Sequence, residues 1–191
     1  MPNHCMLDSA NPTSPWVARW AHLLRPGSRV LDVACGHGRH VRWLAGQGHQ
    51  VTAIDRDAPA IVGLAPIAEV RVADIENGPW PWPGREFDAV IVTNYLWRPL
   101  WQTLRAALAS DGVLIYETFA IGNERLGRPS RPDFLLRPGE LLELCQGLQV
   151  VAYEHGQLDL PARVVQRIAA LGSKADWPQR ASLWGIEASA S

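Results

Sequence analysis

The chain has 191 residues, 47% hydrophobic and 19% charged, and its 18 basic and 19 acidic side chains leave a net charge of −1. That size suits one domain with a sizeable core, and the composition excludes a disordered chain. Balanced charge supplies no field to recruit nucleic acid or a membrane surface, and a single lysine, Lys174, argues against a P-loop or a Schiff-base site.

Cys5, Cys35 and Cys145 lie far apart without a CxxC pair, which suggests free thiols in a reducing compartment. The N-terminus has no apolar signal core, and no apolar run reaches membrane-spanning length. A cytoplasmic protein with no membrane partner is expected.

Strands and helices alternate along the chain. Residues 14–24, SPWVARWAHLL, have helical apolar spacing, with Ser14 as N-cap and Pro15 at the first helical position. RVLDVA (29–34) reads as a buried strand, HVRWLAGQG as a helix stopped by Gly46 and Gly48, and QVTAID (50–55) as a second strand. Asp57 caps a short helix through Leu64, and EVRVAD (69–74) gives a third strand. FDAVIVTN (87–94) is a fourth strand, followed by a helix from Trp97 to Leu108 and a fifth strand, GVLIYETF (112–119). Pro138 opens a helix ending near Gly147. The first four strands are nearly continuous in apolar residues, as parallel strands covered on both faces should be.

The alternation breaks at the end. LQVVAYEHGQL and ARVVQRIAAL both read as strands, but only about three residues, Asp159 to Pro161, separate them. No crossover helix fits there, so the last strand must run antiparallel to its neighbour. The expected fold is a doubly wound α/β domain: a mostly parallel seven-stranded sheet with a C-terminal antiparallel hairpin, and ligands at the C-terminal strand ends. One domain is expected over residues 1–172, and residues 173–191 read as an extended or mobile tail.

The turn after the first strand, VLDVACGHGRH (30–40), carries Gly36 and Gly38 but Val41 where a dinucleotide fingerprint needs its third glycine. A pyrophosphate cofactor is a poor fit. Asp32-Val33-Ala34-Cys35-Gly36-His37-Gly38 resembles the first motif of the class I S-adenosylmethionine-dependent methyltransferases, an acid followed by small residues and glycines in the order D/E-x-G/A-x-G-x-G. Small bacterial tellurite-resistance-like members look most similar in motif and length. Glycine suits such a turn because bare backbone can approach the ligand closely.

The resemblance covers residues 14 to 170 and implies S-adenosylmethionine as cofactor. It assigns Asp32, Ala34, Cys35, Gly36, His37 and Gly38 to the cofactor loop, with Asp32 near the cationic groups. Asp55, with Arg56 beside it, takes the ribose hydroxyls, while Asp74 and Ile75 hold the adenine. Trp16, Arg19 and Arg39 are further candidate cofactor contacts, the arginines as partners of the methionine carboxylate or as surface cations. Trp16 and Trp20, like Trp97 and Trp101, also have the i,i+4 spacing of a core face.

Asn94 and Tyr95, in VTNYLW, lie where the family's transferred methyl points, so they are candidate catalytic residues and Asn94 a cofactor contact as well. Their T-N-Y-L tetrad differs from the [DNS]PP[YF] of enzymes that methylate exocyclic or amide nitrogens. Glu117 is a candidate general base or a structural acceptor of loop amides. Residues 122–137 hold four arginines against one glutamate and one aspartate, and Arg125, Arg128 and Arg131 either bind an anionic substrate or face solvent. Cys35, His37 and His40 crowd three potential ligands into one turn without a fourth, so no metal site is expected. Trp80 and Trp82 read as a hydrophobic plug of a proline-rich loop. The function implied is methyl transfer to a small molecule. RNA or protein methylation is the alternative enzyme reading, and a non-catalytic S-adenosylmethionine-binding domain the alternative of another kind.

Overall fold

The computed structural model describes residues 12–176. In chain order the strands are β1 (Arg29–Val33), β2 (Gln50–Asp55), β3 (Glu69–Val72), β4 (Phe87–Thr93), β5 (Leu108–Phe119), β6 (Gln149–Asp159) and β7 (Ala162–Leu171). The helices are α1 (Pro15–Trp20), α2 (Arg39–Gly46), α3 (Ala58–Ile61), α4 (Trp101–Ala107) and α5 (Glu140–Leu144), with short 3₁₀ turns between some of them. The seven strands form one sheet in the order β3-β2-β1-β4-β5-β7-β6. The first five are parallel, while β7 runs antiparallel to both β5 and β6. The expected fold and its terminal hairpin are both present.

Strand parity divides the core into two layers. Val30, Val51, Ala53, Ile91 and Ile115 face α1, α2 and α3 and pack on Trp16, Trp20, Val41, Leu44 and Ile61. Leu31, Val33, Ile54, Val90, Val92 and Leu114 point the other way, onto Trp101 and Leu104 of α4 and Leu141 of α5. Each such buried aliphatic or aromatic side chain contributes roughly 1.5–3 kcal/mol.

Local chemistry sets the helix starts as expected. The Ser14 hydroxyl accepts from Trp16 N–H, and the Asp57 carboxylate accepts from Ala60 N–H. Trp80 and Trp82 stack edge-on at 5.6 Å, and Trp82 meets Phe87 at 6.0 Å, so the loop before β4 is closed by its own aromatics.

Three expectations need correction. β3 is an edge strand, so Glu69, Arg71 and Val72 are exposed rather than covered on both faces. The helix expected over 97–108 opens as a 3₁₀ turn, Arg98–Leu100, and Leu108 already belongs to β5, where it pairs with Phe87. The helix after Pro138 has only five residues, starting from left-handed Gly139. Past β7, Gly172 N–H donates to Gly112 O, Lys174 N–H to Ser110 O, and Ala175 is buried. Residues 177–191 and Cys5 lie outside the described residues. No described helix is long and apolar enough to cross a membrane.

Candidate active site

After β1 the backbone enters the left-handed region three times, at Ala34 (φ 52°), Gly36 (φ 53°) and Gly38 (φ 73°). Gly38 is glycine for two reasons. It caps α2 in that conformation, and a Cβ there would lie 2.4 Å from Leu64 Cδ1 in the core. Gly36 is different, because a Cβ would meet nothing within 4 Å, so the turn presents open backbone. Ala34 holds a left-handed conformation that costs a non-glycine residue of order 1 kcal/mol.

Asp55 fastens this turn to β2. Its carboxylate accepts from Gly36 N–H at 2.8 Å and from Asp57 N–H at 2.9 Å. Each oxygen retains a lone pair for a further donor.

A cleft of about 380 Å³ opens at the C-terminal ends of the parallel strands. One side is built from Ala34 after β1, from Asp55 and Arg56 at the end of β2, and from residues 73–76 after β3. Here Asp74 is curled into its own loop, accepting from the N–H groups of Glu76 and Asn77 and from Asn77 Nδ2. Those donors, the Asn77 amide first, hold its pKa below the usual carboxylate range. The other side comes from Asn94, Tyr95 and Leu96 after β4 and from Thr118 and Phe119 at the end of β5, with Pro129 and Phe134 from the following loop. This cleft straddles the β1/β4 boundary, where the strand order reverses.

Asn94 is the second non-glycine in a left-handed conformation (φ 55°), and its N–H donates to Glu117 O at 2.8 Å. Arg163 Nη1 donates to Asn94 Oδ1 at 3.1 Å, which turns the Asn94 amide N–H₂ away from the arginine. The Tyr95 hydroxyl is buried without a hydrogen-bond partner. Burial first, then the nearby Glu76 charge, pushes its pKa up.

Behind the turn lies a buried polar cluster. Asp32 is 1% exposed and neither carboxylate oxygen has a hydrogen-bond partner. Burial pushes its pKa up to about 8, with Arg39 opposing. His40 Nδ1 is 3.9 Å from Asp32, while its Nε2 accepts from Ser14 N–H. Burial, and then Arg39, lowers the His40 pKa to about 3, so the imidazole is neutral and no ion pair forms. An unpartnered buried acid beside open glycine backbone suits a cationic group of the expected cofactor.

Several candidates lie away from the cleft. Glu117 is fully buried; it accepts from the Ser14 hydroxyl at 3.0 Å and pairs with Arg163 at 3.3 Å and Arg167 at 3.4 Å. A carboxylate so engaged anchors β5 to β7 and α1 and is not poised as a general base. Trp16 is core: its Nε1–H donates to Ile168 O, and Arg167 lies over its ring. Arg19 pairs with Glu154 of β6 and stacks on Trp20, away from the cleft. Arg39 is half-buried near Glu117 and Asp32, with Nη1 donating to Pro12 O.

Arg125, Arg128 and Arg131 are exposed and do not line the cleft; Arg131 pairs with Asp133. Cys35 is buried with a raised pKa, first because of that burial, whereas His37 is exposed. No group of three potential metal ligands gathers among the described residues. Sequence reasoning missed Glu76, Thr118, Phe119, Pro129, Phe134 and Arg163. Only the apolar positions inside the arginine-rich stretch carried a readable signal.

Residues 30–112 match the family described as "Methyltransferase domain". A protein-L-isoaspartate O-methyltransferase of Methylorubrum populi is 34% identical over 117 residues, 56% of this chain and 53% of that protein. A thiopurine S-methyltransferase of Pseudomonas putida is 34% identical over 146 residues, 72% of this chain and 61% of that one. The chain thus spans about half to three-fifths of the length of these curated relatives. Among solved structures, TehB from Haemophilus influenzae shares the fold at TM-score 0.68 and 19% identity, covering 84% of this chain and 62% of that one. The first motif, the sheet order with its reversed β7 and these matches agree: residues 30–112 are a methyltransferase domain, and the chain has the class I S-adenosylmethionine-dependent methyltransferase fold.

Proposed function

We propose that the chain moves the methyl group of S-adenosylmethionine to a small-molecule acceptor. The observation that supports this most is the position of the cleft, flanked by Ala34, the first left-handed residue of the turn after β1, on one side and by Asn94, Tyr95 and the loop after β5 on the other. The residues fit the cofactor. Asp55 has free lone pairs for the ribose hydroxyls, Asp74 and Ile75 border the place for the adenine, and Asp32 is an unpartnered acid for the ammonium.

When bound, S-adenosylmethionine supplies a methyl on a sulfonium; an acceptor lone pair takes the methyl carbon, the carbon–sulfur pair stays on sulfur, and any acceptor proton leaves to water. The protein's part is alignment and exclusion of water, which needs no dedicated acid or base. Phe119, Pro129 and Phe134 wall off the β5 side, and Asn94 is held in one orientation by Arg163.

A protein acceptor, as the name of the isoaspartate relative suggests, is the second reading. The cleft's volume of about 380 Å³, with Pro129 and Phe134 of the loop after β5 in its wall, supports the small acceptor. Calorimetry should show S-adenosylhomocysteine binding and no response to nicotinamide dinucleotides. A screen reading S-adenosylhomocysteine release should then respond to small molecules. Release only with protein substrates would overturn the small-molecule reading, and saturable dinucleotide binding alone would overturn the whole assignment.

A further inference from the structure

We infer that the acceptor is a neutral, largely apolar molecule, and that Pro129 and Phe134 rather than the neighbouring arginines form its binding wall. This rests on the methyl-transfer reading, which assigns Asp55 and Asp74 to the adenosine and leaves the β4–β5 side of the cleft for the acceptor. That side presents Tyr95, Leu96, Thr118, Phe119, Pro129 and Phe134. None of them carries charge at neutral pH, and the Tyr95 hydroxyl and Thr118 are buried, which leaves an apolar surface toward the ligand.

Charge points the same way. The cleft walls hold three carboxylates, Asp55, Asp74 and Glu76, against one guanidinium, Arg56. The positive charge of a bound sulfonium is therefore already offset, and an anionic acceptor would enter against a net negative wall. Arg163, which reaches Asn94, is paired with buried Glu117, and the loop cations do not line the cleft. The Arg125 side chain is 86% exposed, and Arg131 is paired with Asp133 and lies over the outer Phe134 ring.

The mouth is apolar as well. Ile121, Leu126 and Phe134 are exposed large apolar residues on the stretch that leaves β5. That stretch is pinned to the start of β7, because Ala120 N–H donates to Val164 O and Val164 N–H to Asn123 Oδ1. Four residues before Val164, in the turn between β6 and β7, Leu160 is 95% exposed. The hairpin turn and the loop thus meet at the cleft end of the sheet, and both show apolar side chains to solvent, as a ligand entrance does.

Calorimetry on the full chain saturated with S-adenosylhomocysteine tests the inference without reference to the acceptor atom. The probes are matched pairs: 2-naphthol with 6-hydroxy-2-naphthoate, and benzyl mercaptan with 4-(mercaptomethyl)benzoate. Each neutral member should bind at least tenfold tighter than its carboxylate. Phe134→Ala should weaken the neutral members at least fivefold at unchanged S-adenosylhomocysteine affinity. The triple change of Arg125, Arg128 and Arg131 to glutamine should leave them unaffected. Carboxylates bound as well or better, neither member bound, or a loss confined to the arginine variant would each overturn the inference. Failure of S-adenosylhomocysteine itself to bind would instead count against the methyltransferase reading beneath it.

Discussion

Asp55 is the residue at which structure and ligand chemistry meet, and Asp55→Ala separates them. The wild-type carboxylate accepts two backbone N–H groups, at 2.8 Å from Gly36 and 2.9 Å from Asp57. Hydrogen bonds to a charged group contribute about 1.5–3 kcal/mol each. Both donors are near enough to solvent for water to replace part of that, so urea unfolding should show a loss of roughly 2–3 kcal/mol for the pair. The ribose contact is a separate quantity. Loss of one hydroxyl's bond to the carboxylate should weaken S-adenosylhomocysteine binding by about 10- to 150-fold.

A lower affinity alone would not distinguish a lost contact from a misshapen turn, so the variant is crossed with a 2′-deoxy analogue of S-adenosylhomocysteine. If Asp55 holds the hydroxyl, the deoxy analogue binds wild type at least tenfold more weakly, and the alanine variant barely tells the two ligands apart. Asp55→Asn, which keeps one carbonyl acceptor, should fall between. An equal deoxy penalty in wild type and Asp55→Ala would refute the ribose role, whatever the stability change.

Asp32 has a raised folded-state pKa, about 8 against an unfolded 3.8, because it is buried. Its contribution to stability is therefore complete below about pH 4 and lost as pH rises through about 8. Asp32→Asn should flatten the thermal-stability profile over that window, and superimposable profiles would show that Asp32 does not titrate as described. Arg163→Met leaves buried Glu117 with Arg167 and the Ser14 hydroxyl only, so urea unfolding should show a loss of about 1–3 kcal/mol. Adding Glu117→Gln should cost less than the sum of the single changes, and strict additivity would argue against the pair. Gly38→Ala meets both a left-handed backbone and Leu64 and should cost about 2–4 kcal/mol. Gly36→Ala meets only the backbone restriction and should cost about 1 kcal/mol, so equal melting temperatures would contradict the packing argument.

Most of the fold was legible because its determinants are local. Buried parallel strands declare themselves as apolar runs, Ser14 and Asp57 cap the helices they precede, and the three residues between β6 and β7 leave no room for a crossover. Errors fell where tertiary position overrides local pattern. In β3, EVRV, the charged Glu69 and Arg71 alternate with Val70 and Val72, the pattern of an edge strand, but the valines alone match an inner strand. The segment before β5 has helical apolar spacing through Leu108, yet Leu108 pairs with Phe87, and a sheet partner twenty-one residues earlier outweighs the last turn of a helix.

The site divides along the same line. The left-handed turn at Ala34–Gly38 and the position of Asp55 and Asp74 at strand ends are set by backbone geometry over a few residues, so their placement is legible in the sequence. Glu117 carries a signal for its structural reading. Within GVLIYETF, Glu117 shares parity with Val113 and Ile115, both of which face the α1–α3 layer. A carboxylate on that face lies beneath α1, and only Arg163 and Arg167, 46 and 50 residues later, make its burial tolerable. The arginine-rich loop is less legible. Its charge count fits an anion site or a solvated loop equally, and its exposed guanidiniums keep their hydration while pairing with acids of the same loop, Arg125 with Glu124 and Arg131 with Asp133. Pro129 and Phe134 of that loop line the cleft although Phe134 keeps a solvent-exposed edge, and the exposed arginines between and beside them do not line it.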